Sequence, residues 1–194
     1  MKYNSRLLVT LALQRCGLFL SAILVLGIVA SISLIPPPSY ASELSLSSKW
    51  GGYGIDNGRF KSPQGIAIDS QGNVYVADTG NHRIQKFAID GTFISKWGSY
   101  GGVDASFKNP RSIAVDSSGN VYVADTGNHR IQKFASDGKF ITKWGGEGRN
   151  DGKFTSPAGI AIDSSGNVYV ADSGNSRIQK FSGVSIQVGQ RRQR

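Results

Sequence analysis

Acidic and histidine side chains with catalytic or metal-binding potential recur along this chain at a spacing of 47 residues. The recurring positions are Asp78, Asp125 and Asp172, followed by His82, His129 and Ser176. A zinc site needs three or four converging ligands, and equivalent positions of adjacent repeats meet at one ion only if they approach a common centre. We therefore interpret the aspartates as structural carboxylates that accept backbone N–H groups in a turn, and the histidines as part of that turn.

Other motifs that carry chemistry are absent from the sequence. Cys16 is the only cysteine and lies in an apolar N-terminal stretch, so the rest of the chain offers no thiol for a disulfide, a metal or nucleophilic catalysis. The sequence contains no Gly-x-Ser-x-Gly, no His-Glu-x-x-His and no phosphate-binding loop. It therefore predicts neither a cofactor nor a catalytic site.

The elements that position these residues belong to a tandem repeat. Residues 49–95 and 96–142 are identical at 33 of 47 positions, and a period of this length is typical of propellers and solenoids. One tryptophan marks each copy, namely Trp50, Trp97 and Trp144. Because each tryptophan is followed by glycine, we expect the indole rings to pack between repeat units.

Each unit predicts four short antiparallel strands. In the first copy these are residues 66–69, 74–78, 83–87 and 93–97, separated by turn signals rich in Gly and Asn. Asp90-Gly91 predicts a two-residue hairpin turn in which both residues take positive φ. The second strand is apolar at nearly every position, which suits a sheet that is packed on both faces. Four such strands describe one blade of a β-propeller.

The repeat resembles the NHL repeat, which builds six-bladed propellers. The resemblance rests on G-x-F-x-x-P-x-G-I-A-I-D, G-N-V-Y-V-A-D-T-G-N-H-R-I-Q-K-F and D-G-x-F-I-x-K-W-G, and it covers residues 44–181. It implies an all-β propeller with three four-stranded blades, half of a six-bladed ring, that serves as a protein- or ligand-binding scaffold. Because peptidyl-hydroxyglycine lyases are similar metal-dependent propellers, a metal-dependent lyase or hydrolase is the alternative.

The copy number differs from that of a complete six-bladed propeller. Residues 43–50 align with 90–97, so we expect an outermost strand that has no blade before it. The third copy, 143–181, is not followed by the Asp-Gly turn or by Lys-Trp-Gly. Two explanations are open: a homodimer completes six blades by exchanging the outermost strand, or the chain is a truncated fragment of a longer NHL protein.

Positions that differ between copies mark the expected ligand site. The connections between blades and the start of the innermost strand vary most, and in propellers they share a face with the turn between the second and third strands. The candidate ligand-binding residues on this face are Tyr53, Gln64, His82, Tyr100, Arg111, His129 and Arg149. The class of ligand, whether protein, peptide or glycan, stays open, and drift in exposed loops would produce the same variation.

The N-terminal 41 residues are predicted to be a targeting segment. Basic residues precede an uncharged run over residues 16–35, and Ser39-Tyr40-Ala41 fits the small-residue preference of signal peptidase. Cleavage after Ala41 is favoured, and a transmembrane anchor is the competing interpretation because about 20 apolar residues suffice to span a bilayer. Both interpretations predict an extracytoplasmic location for residues 42–194, either secreted or anchored to the membrane.

The formal charge of +9 comes mainly from the two ends of the chain. Residues 42–190 contain 16 of the 22 Lys and Arg residues and all 13 Asp and Glu residues, so the repeats are nearly balanced. Together with export, this balance argues against nucleic-acid binding. The predicted organisation is a signal peptide or anchor over 1–41, three repeats over 42–184 (49–95, 96–142 and an incomplete 143–181) and a basic tail over 185–194.

Overall fold

The computed structural model describes residues 44–182, which form three antiparallel sheets in chain order, called blades 1 to 3. Blade 1 consists of β1 (Gly65–Ile68), β2 (Val74–Asp78), β3 (Arg83–Phe87) and β4 (Phe93–Trp97). Blade 2 consists of β5 (Pro110–Val115), β6 (Val121–Asp125), β7 (Arg130–Phe134) and β8 (Phe140–Gly145). Blade 3 consists of β9 (Pro157–Ile162), β10 (Val168–Asp172) and β11 (Arg177–Phe181). The prediction of an all-β fold made of propeller-type blades is confirmed.

Within each blade, neighbouring strands in the chain are neighbours in the sheet. A short 3₁₀ turn joins the second strand to the third, and these turns are Thr79–Asn81, Thr126–Asn128 and Ser173–Asn175. All five residues of β2 and of β6 are buried. Blades 1 and 3 cover the two faces of the sheet that contains β6, whereas β2 has blade 2 on one face and Phe60 on the other.

The outer hairpin of blade 1 differs from the predicted two-residue turn at Asp90-Gly91. Only Gly91 takes a positive φ, of 86°. The Ala88 carbonyl accepts the N–H of Gly91 at 2.9 Å, and the Thr92 carbonyl accepts the N–H of Ala88 at 2.8 Å. The Asp90 carboxylate accepts the N–H of Thr92 at 2.9 Å. The hairpin is therefore a type I turn closed by a glycine bulge, and this geometry requires the left-handed conformation only at the glycine.

The blades pack against one another through one repeated apolar interface. We call the side of a blade that meets the next blade its back face, and the opposite side its front face. The back face of blade 1 is Tyr75, Ala77 and Ile84, and it packs on the front face of blade 2, which is Phe107, Ile113, Val121, Val123 and Phe134. The second interface joins Tyr122, Ala124 and Ile131 to Phe154, Ile160, Val168, Val170 and Phe181. The same residue types therefore form both interfaces.

Trp97 lies between blades 1 and 2. Its ring centroid is 6.3 Å from that of Tyr75 in its own blade and 5.9 Å from that of Phe134 in the next. Gly138 allows this approach, since a Cβ added there would lie 2.8 Å from the indole and its φ is +88°. The tryptophan and the glycine of successive repeats therefore form one packing unit.

The two ends of the described chain differ from the expected set of three four-stranded blades. Blade 3 has three strands, and the position of a fourth falls after Ser182, outside the described residues. Residues 44–50 contain no strand, contrary to the outermost strand expected there. A strand needs a partner for its backbone N–H and C=O groups, and the described residues include no sheet before blade 1 that could supply one.

The predicted targeting segment is not covered by this structure. The apolar run over 16–35, the cleavage site after Ala41 and the tail over 185–194 all lie outside the described residues. Within residues 44–182, no helix is long and apolar enough to cross a membrane.

Candidate functional site

Asp125 is the centre of a buried polar network at the end of β6. Its side chain is completely buried, and its Oδ1 accepts the backbone N–H of Lys108 at 2.8 Å. Its Oδ2 accepts hydrogen bonds from Nε of Arg130 at 2.7 Å and from the side-chain amides of Asn128 and Gln132 at 2.9 and 3.1 Å. The equivalent centres in the other blades are Asp78 and Asp172.

Arg130 and Gln132 extend this network to the connection between blades 1 and 2. The guanidinium of Arg130 donates to the carbonyl oxygens of Gly102 and Ser106 at 2.8 and 2.9 Å. Nε2 of Gln132 donates to the same Ser106 carbonyl at 2.8 Å. The connection is therefore held through its backbone, and its outward side chains can change without loss of these bonds.

Gln85, Gln132 and Gln179 are members of the network that the sequence patterns did not single out. Gln85 and Gln132 are completely buried in the middle of β3 and β7. The signal that could have found them is a glutamine at the same mid-strand position of all three copies, in the repeated strand Arg-Ile-Gln-Lys-Phe. A buried amide at such a position needs hydrogen-bond partners, and the aspartate and the connection supply them.

One end of the blades gathers the connections and the 3₁₀ turns, and we call this end the turn face. In blade 1, the N–H of Gly80 donates to the carbonyl of Lys61 at 2.8 Å, which ties the turn to the connection. The N–H of Gln64 donates to the carbonyl of Ala77 at 3.1 Å, which places the start of the innermost strand at the same end. All seven candidate ligand residues belong to these segments.

His82 and His129 join each turn to the connection that leads into the next blade. Both residues have φ of 54°, at the left-handed end of the 3₁₀ turn. Nδ1 of His82 accepts the backbone N–H of Asn109 at 3.1 Å, and Nδ1 of His129 accepts that of Ser156 at 3.0 Å. The ring of His82 also lies edge-on to that of Tyr100, with centroids 5.0 Å apart. One ring nitrogen of each histidine is thus engaged in a contact between blades.

The other candidates are spread over the turn face. Tyr53 and Arg111 are exposed. Arg149 lines a cavity of about 300 Å³ beside Ser176 of blade 3. Gln64 lies instead at an apolar groove of about 430 Å³ on the front face of blade 1. The structure therefore brings His82 and Tyr100 into contact but does not place the seven residues in one cavity.

A second set of carboxylates closes the turn between the first and second strands. Asp116 accepts hydrogen bonds from the amide of Asn120 at 2.8 Å and from the hydroxyl of Tyr122 at 3.1 Å, and Nζ of Lys133 lies 3.7 Å away. Burial favours the neutral acid, but these hydrogen bonds and the ammonium together hold the pKa of Asp116 below its usual value. Burial raises the pKa of Tyr122. Both residues therefore stay in their ordinary charge states at neutral pH and act structurally.

In the described part of the chain, no group of three or more His, Cys, Asp or Glu side chains could hold a metal ion. The aspartates that recur in each repeat are instead used within their own blades, where amide, guanidinium and hydroxyl groups donate to them. These hydrogen bonds hold backbone segments in place.

Two curated proteins share part of this sequence. The chain is 41% identical over 61 residues to the B-box type zinc finger protein ncl-1 of Caenorhabditis elegans, which is 29% of this chain and 7% of that protein. It is 38% identical over 65 residues to Protein brain tumor of Drosophila melanogaster, which is 32% of this chain and 6% of that protein. The chain thus spans only a small part of the length of these relatives.

Among solved structures, the fold is similar to that of a streptogramin B lyase, with a TM-score of 0.49 and 20% identity over 62% of this chain and 37% of that one. The profile of the NHL repeat matches residues 60–87, 107–134 and 154–181. Each matched segment runs from the connection to the end of the third strand, so it contains the aspartate, the arginine and the glutamine of the buried network. This chain therefore belongs to the NHL repeat family.

Proposed function

We propose that this chain is a protein-binding scaffold that uses its turn face and performs no chemistry of its own. The observation that carries the proposal is that the connections have a fixed backbone and variable side chains. Their backbones are anchored to the buried aspartate, arginine and glutamine, as shown by the bonds from Arg130 to Gly102 and Ser106. Their outward side chains differ from copy to copy. A rigid frame with variable loops is the usual arrangement of a binding protein.

The composition of the turn face supports a protein or peptide ligand. Tyr53, Ile55, Tyr100 and Val103 are large apolar or aromatic side chains that are mostly exposed there. Exposed arginines, including Arg111, lie on the same face. Tyrosine and arginine are enriched at protein interfaces and among the residues that contribute most to binding energy.

Selection of peptides from a random phage-displayed library on the immobilised full chain would test this proposal. We expect the selected peptides to bind about tenfold or more weakly to a Tyr100→Ser, Arg111→Ala variant, because a central aromatic or arginine anchor contributes more than 1.4 kcal/mol. The matched control is Lys139→Ala, on the outer hairpin at the opposite end of blade 2, which should leave binding unchanged.

Two results would contradict the scaffold. One is binding that is weakened by the outer-hairpin control as much as by the turn-face variant. The other is stoichiometric, tightly held zinc or calcium in the purified chain, which would favour the lyase or hydrolase alternative.

An extracytoplasmic location is also part of the proposal. It is supported by the basic residues Lys2, Arg6 and Arg15, the apolar run over 16–35 and the Ser39-Tyr40-Ala41 pattern. In cells that express the full chain, we expect N-terminal sequencing of the exported protein to begin at Ser42. A full-length species in the membrane fraction would instead show an anchor, and a full-length species in the cytosol would contradict export.

A further inference from the structure

We propose that two copies of this chain close into a ring of six blades. The back face of blade 3 in each copy would pack on the front face of blade 1 in the other. Gln64 is the one candidate ligand residue that we place on this surface, so the inference does not depend on the proposed ligand.

We call the back face of blade 3 and the front face of blade 1 the terminal faces. Their isoleucines are exposed where the counterparts between blades are buried, whereas Val74, Val76 and Phe87 are already buried within one chain. Ile178 on the back face of blade 3 is 68% exposed, whereas Ile84 and Ile131 at the same position of blades 1 and 2 are completely buried. Ile66 on the front face of blade 1 is 64% exposed, whereas Ile113 of blade 2 is 4% exposed. Monomeric soluble proteins rarely leave large contiguous apolar patches open to water.

The terminal faces are the two halves of an interface that already forms twice in this chain. The back face of blade 3 is Tyr169, Ala171 and Ile178, the same residue types as in blades 1 and 2. The front face of blade 1 is Phe60, Ile66, Val74, Val76 and Phe87, the same five residue types as the front faces of blades 2 and 3. A second copy therefore offers the partner surface that each terminal face fits.

Trp50 already occupies the position of a tryptophan from a preceding blade. Its ring lies 6.3 Å from that of Phe87, much as Trp97 lies on Phe134. A Cβ added at Gly91 would lie 2.9 Å from the Trp50 indole, matching the 2.8 Å between Gly138 and Trp97. On the front face of blade 1, Trp50 thus reproduces the packing that Trp97 of the preceding blade makes on blade 2.

The strand register predicts where the second copy would pair. Trp97 pairs with Ile84 and Trp144 pairs with Ile131. By the same register, Trp50 would pair with Ile178 of a second copy. Residues 44–50 would then gain the strand partner that they lack in one chain, and blade 3 would gain a fourth strand.

The three blades of residues 44–182, together with the geometry of propellers, set the number of copies. Closed propellers typically have about four to eight blades, and six is the only multiple of three in that range. A head-to-tail contact either closes into a ring or continues as a filament. Two copies give a closed two-fold ring.

One hydrogen bond distinguishes the contact between copies from the contacts within a chain. His82 and His129 each accept a backbone N–H from the next blade, at Asn109 and Ser156. The corresponding pair between copies is Ser176 and Ser62. The serine side chain is shorter than histidine, so this contact would be missing and the joint between copies would be the weakest in the ring.

Chemical cross-linking of the full chain would test this arrangement. In a Cys16→Ser background, Ser62→Cys and Ser176→Cys are introduced together and treated with a short bis-maleimide at low micromolar protein in mild detergent. We expect a covalent species of twice the 20.7 kDa chain mass on a denaturing gel. The matched control is His82→Cys with Asn109→Cys, which should cross-link within one chain and stay at the monomer mass.

Two results would overturn the proposal. One is a folded chain that sediments as a monomer and gives no cross-linked dimer while the internal control cross-links. The other is a ladder of larger species, which would indicate a head-to-tail filament in place of a closed ring.

Two further variants tie the dimer to the named faces. Ile178→Asp should give a folded monomer, because the side chain is already exposed within one chain, whereas Ile89→Asp on the outer hairpin should leave the dimer intact. Ser176→His should tighten the dimer by about two- to tenfold for each restored hydrogen bond. Equal dimerisation of Ile178→Asp and the unaltered chain would contradict the assignment of this face.

Discussion

Asp125→Ala is expected to lower the free energy of unfolding by about 3–5 kcal/mol, because it removes one partner of a buried ion pair. Nε of Arg130 lies 2.7 Å from Oδ2 of Asp125, and the arginine side chain is only 9% exposed. The substitution would leave its guanidinium buried without a carboxylate. It would also remove the acceptor of the backbone N–H of Lys108. Urea denaturation followed by tryptophan fluorescence measures the change.

The third blade supplies a matched control for this prediction. Asp172→Ala removes the same carboxylate, but Arg177 is 26% exposed, so water can solvate part of the freed charge. We expect a smaller loss of stability than for Asp125→Ala. Arg111→Ala, at an exposed position, should change stability by less than about 0.5 kcal/mol. Equal losses for Asp125→Ala and Arg111→Ala would contradict the division between structural and surface positions.

Phe134→Ala is expected to lower the free energy of unfolding by about 3–5 kcal/mol, the usual cost of removing a buried phenylalanine from a core. Phe134 is completely buried. Its ring centroid lies 5.9 Å from Trp97, 5.6 Å from Phe107 and 5.9 Å from Phe140. The resulting cavity would lie within the interface between blades 1 and 2, among these three aromatic rings. Thermal unfolding followed by near-ultraviolet circular dichroism measures the effect.

Phe181→Ala is the matched control, since Phe181 occupies the same position in blade 3. It contacts Trp144 and Phe154, with centroids 5.7 and 5.8 Å away, but it is only partly buried. We expect roughly half the loss in stability, because less apolar surface returns to water on substitution. A loss as large as that of Phe134→Ala would show that blade 3 is covered more fully than the described residues indicate.

The blade architecture could be predicted from the sequence because its determinants are local. The period of 47 residues, the apolar second strand and the turn residues between strands lie within one repeat. They indicated the positions of β2, β3 and β4 in the first copy. Near-identity of the copies also indicated that Asp78, Asp125 and Asp172 share one role. Alternation and turn chemistry act over a few residues, so no knowledge of distant contacts was needed.

Whether a residue that recurs in every copy is buried depends on what its blade packs against. The sequence of the repeat does not encode this neighbour. Ile84, Ile131 and Ile178 occupy equivalent positions, but only the last is exposed, since no described blade covers it. Residues 44–50 match a strand in sequence but form none, because a strand needs backbone partners from a neighbouring sheet. The hydrogen bond from Arg130 to Val103 likewise joins residues 27 positions apart. Such contacts arise only when the sheets have stacked and brought separate segments of the chain together.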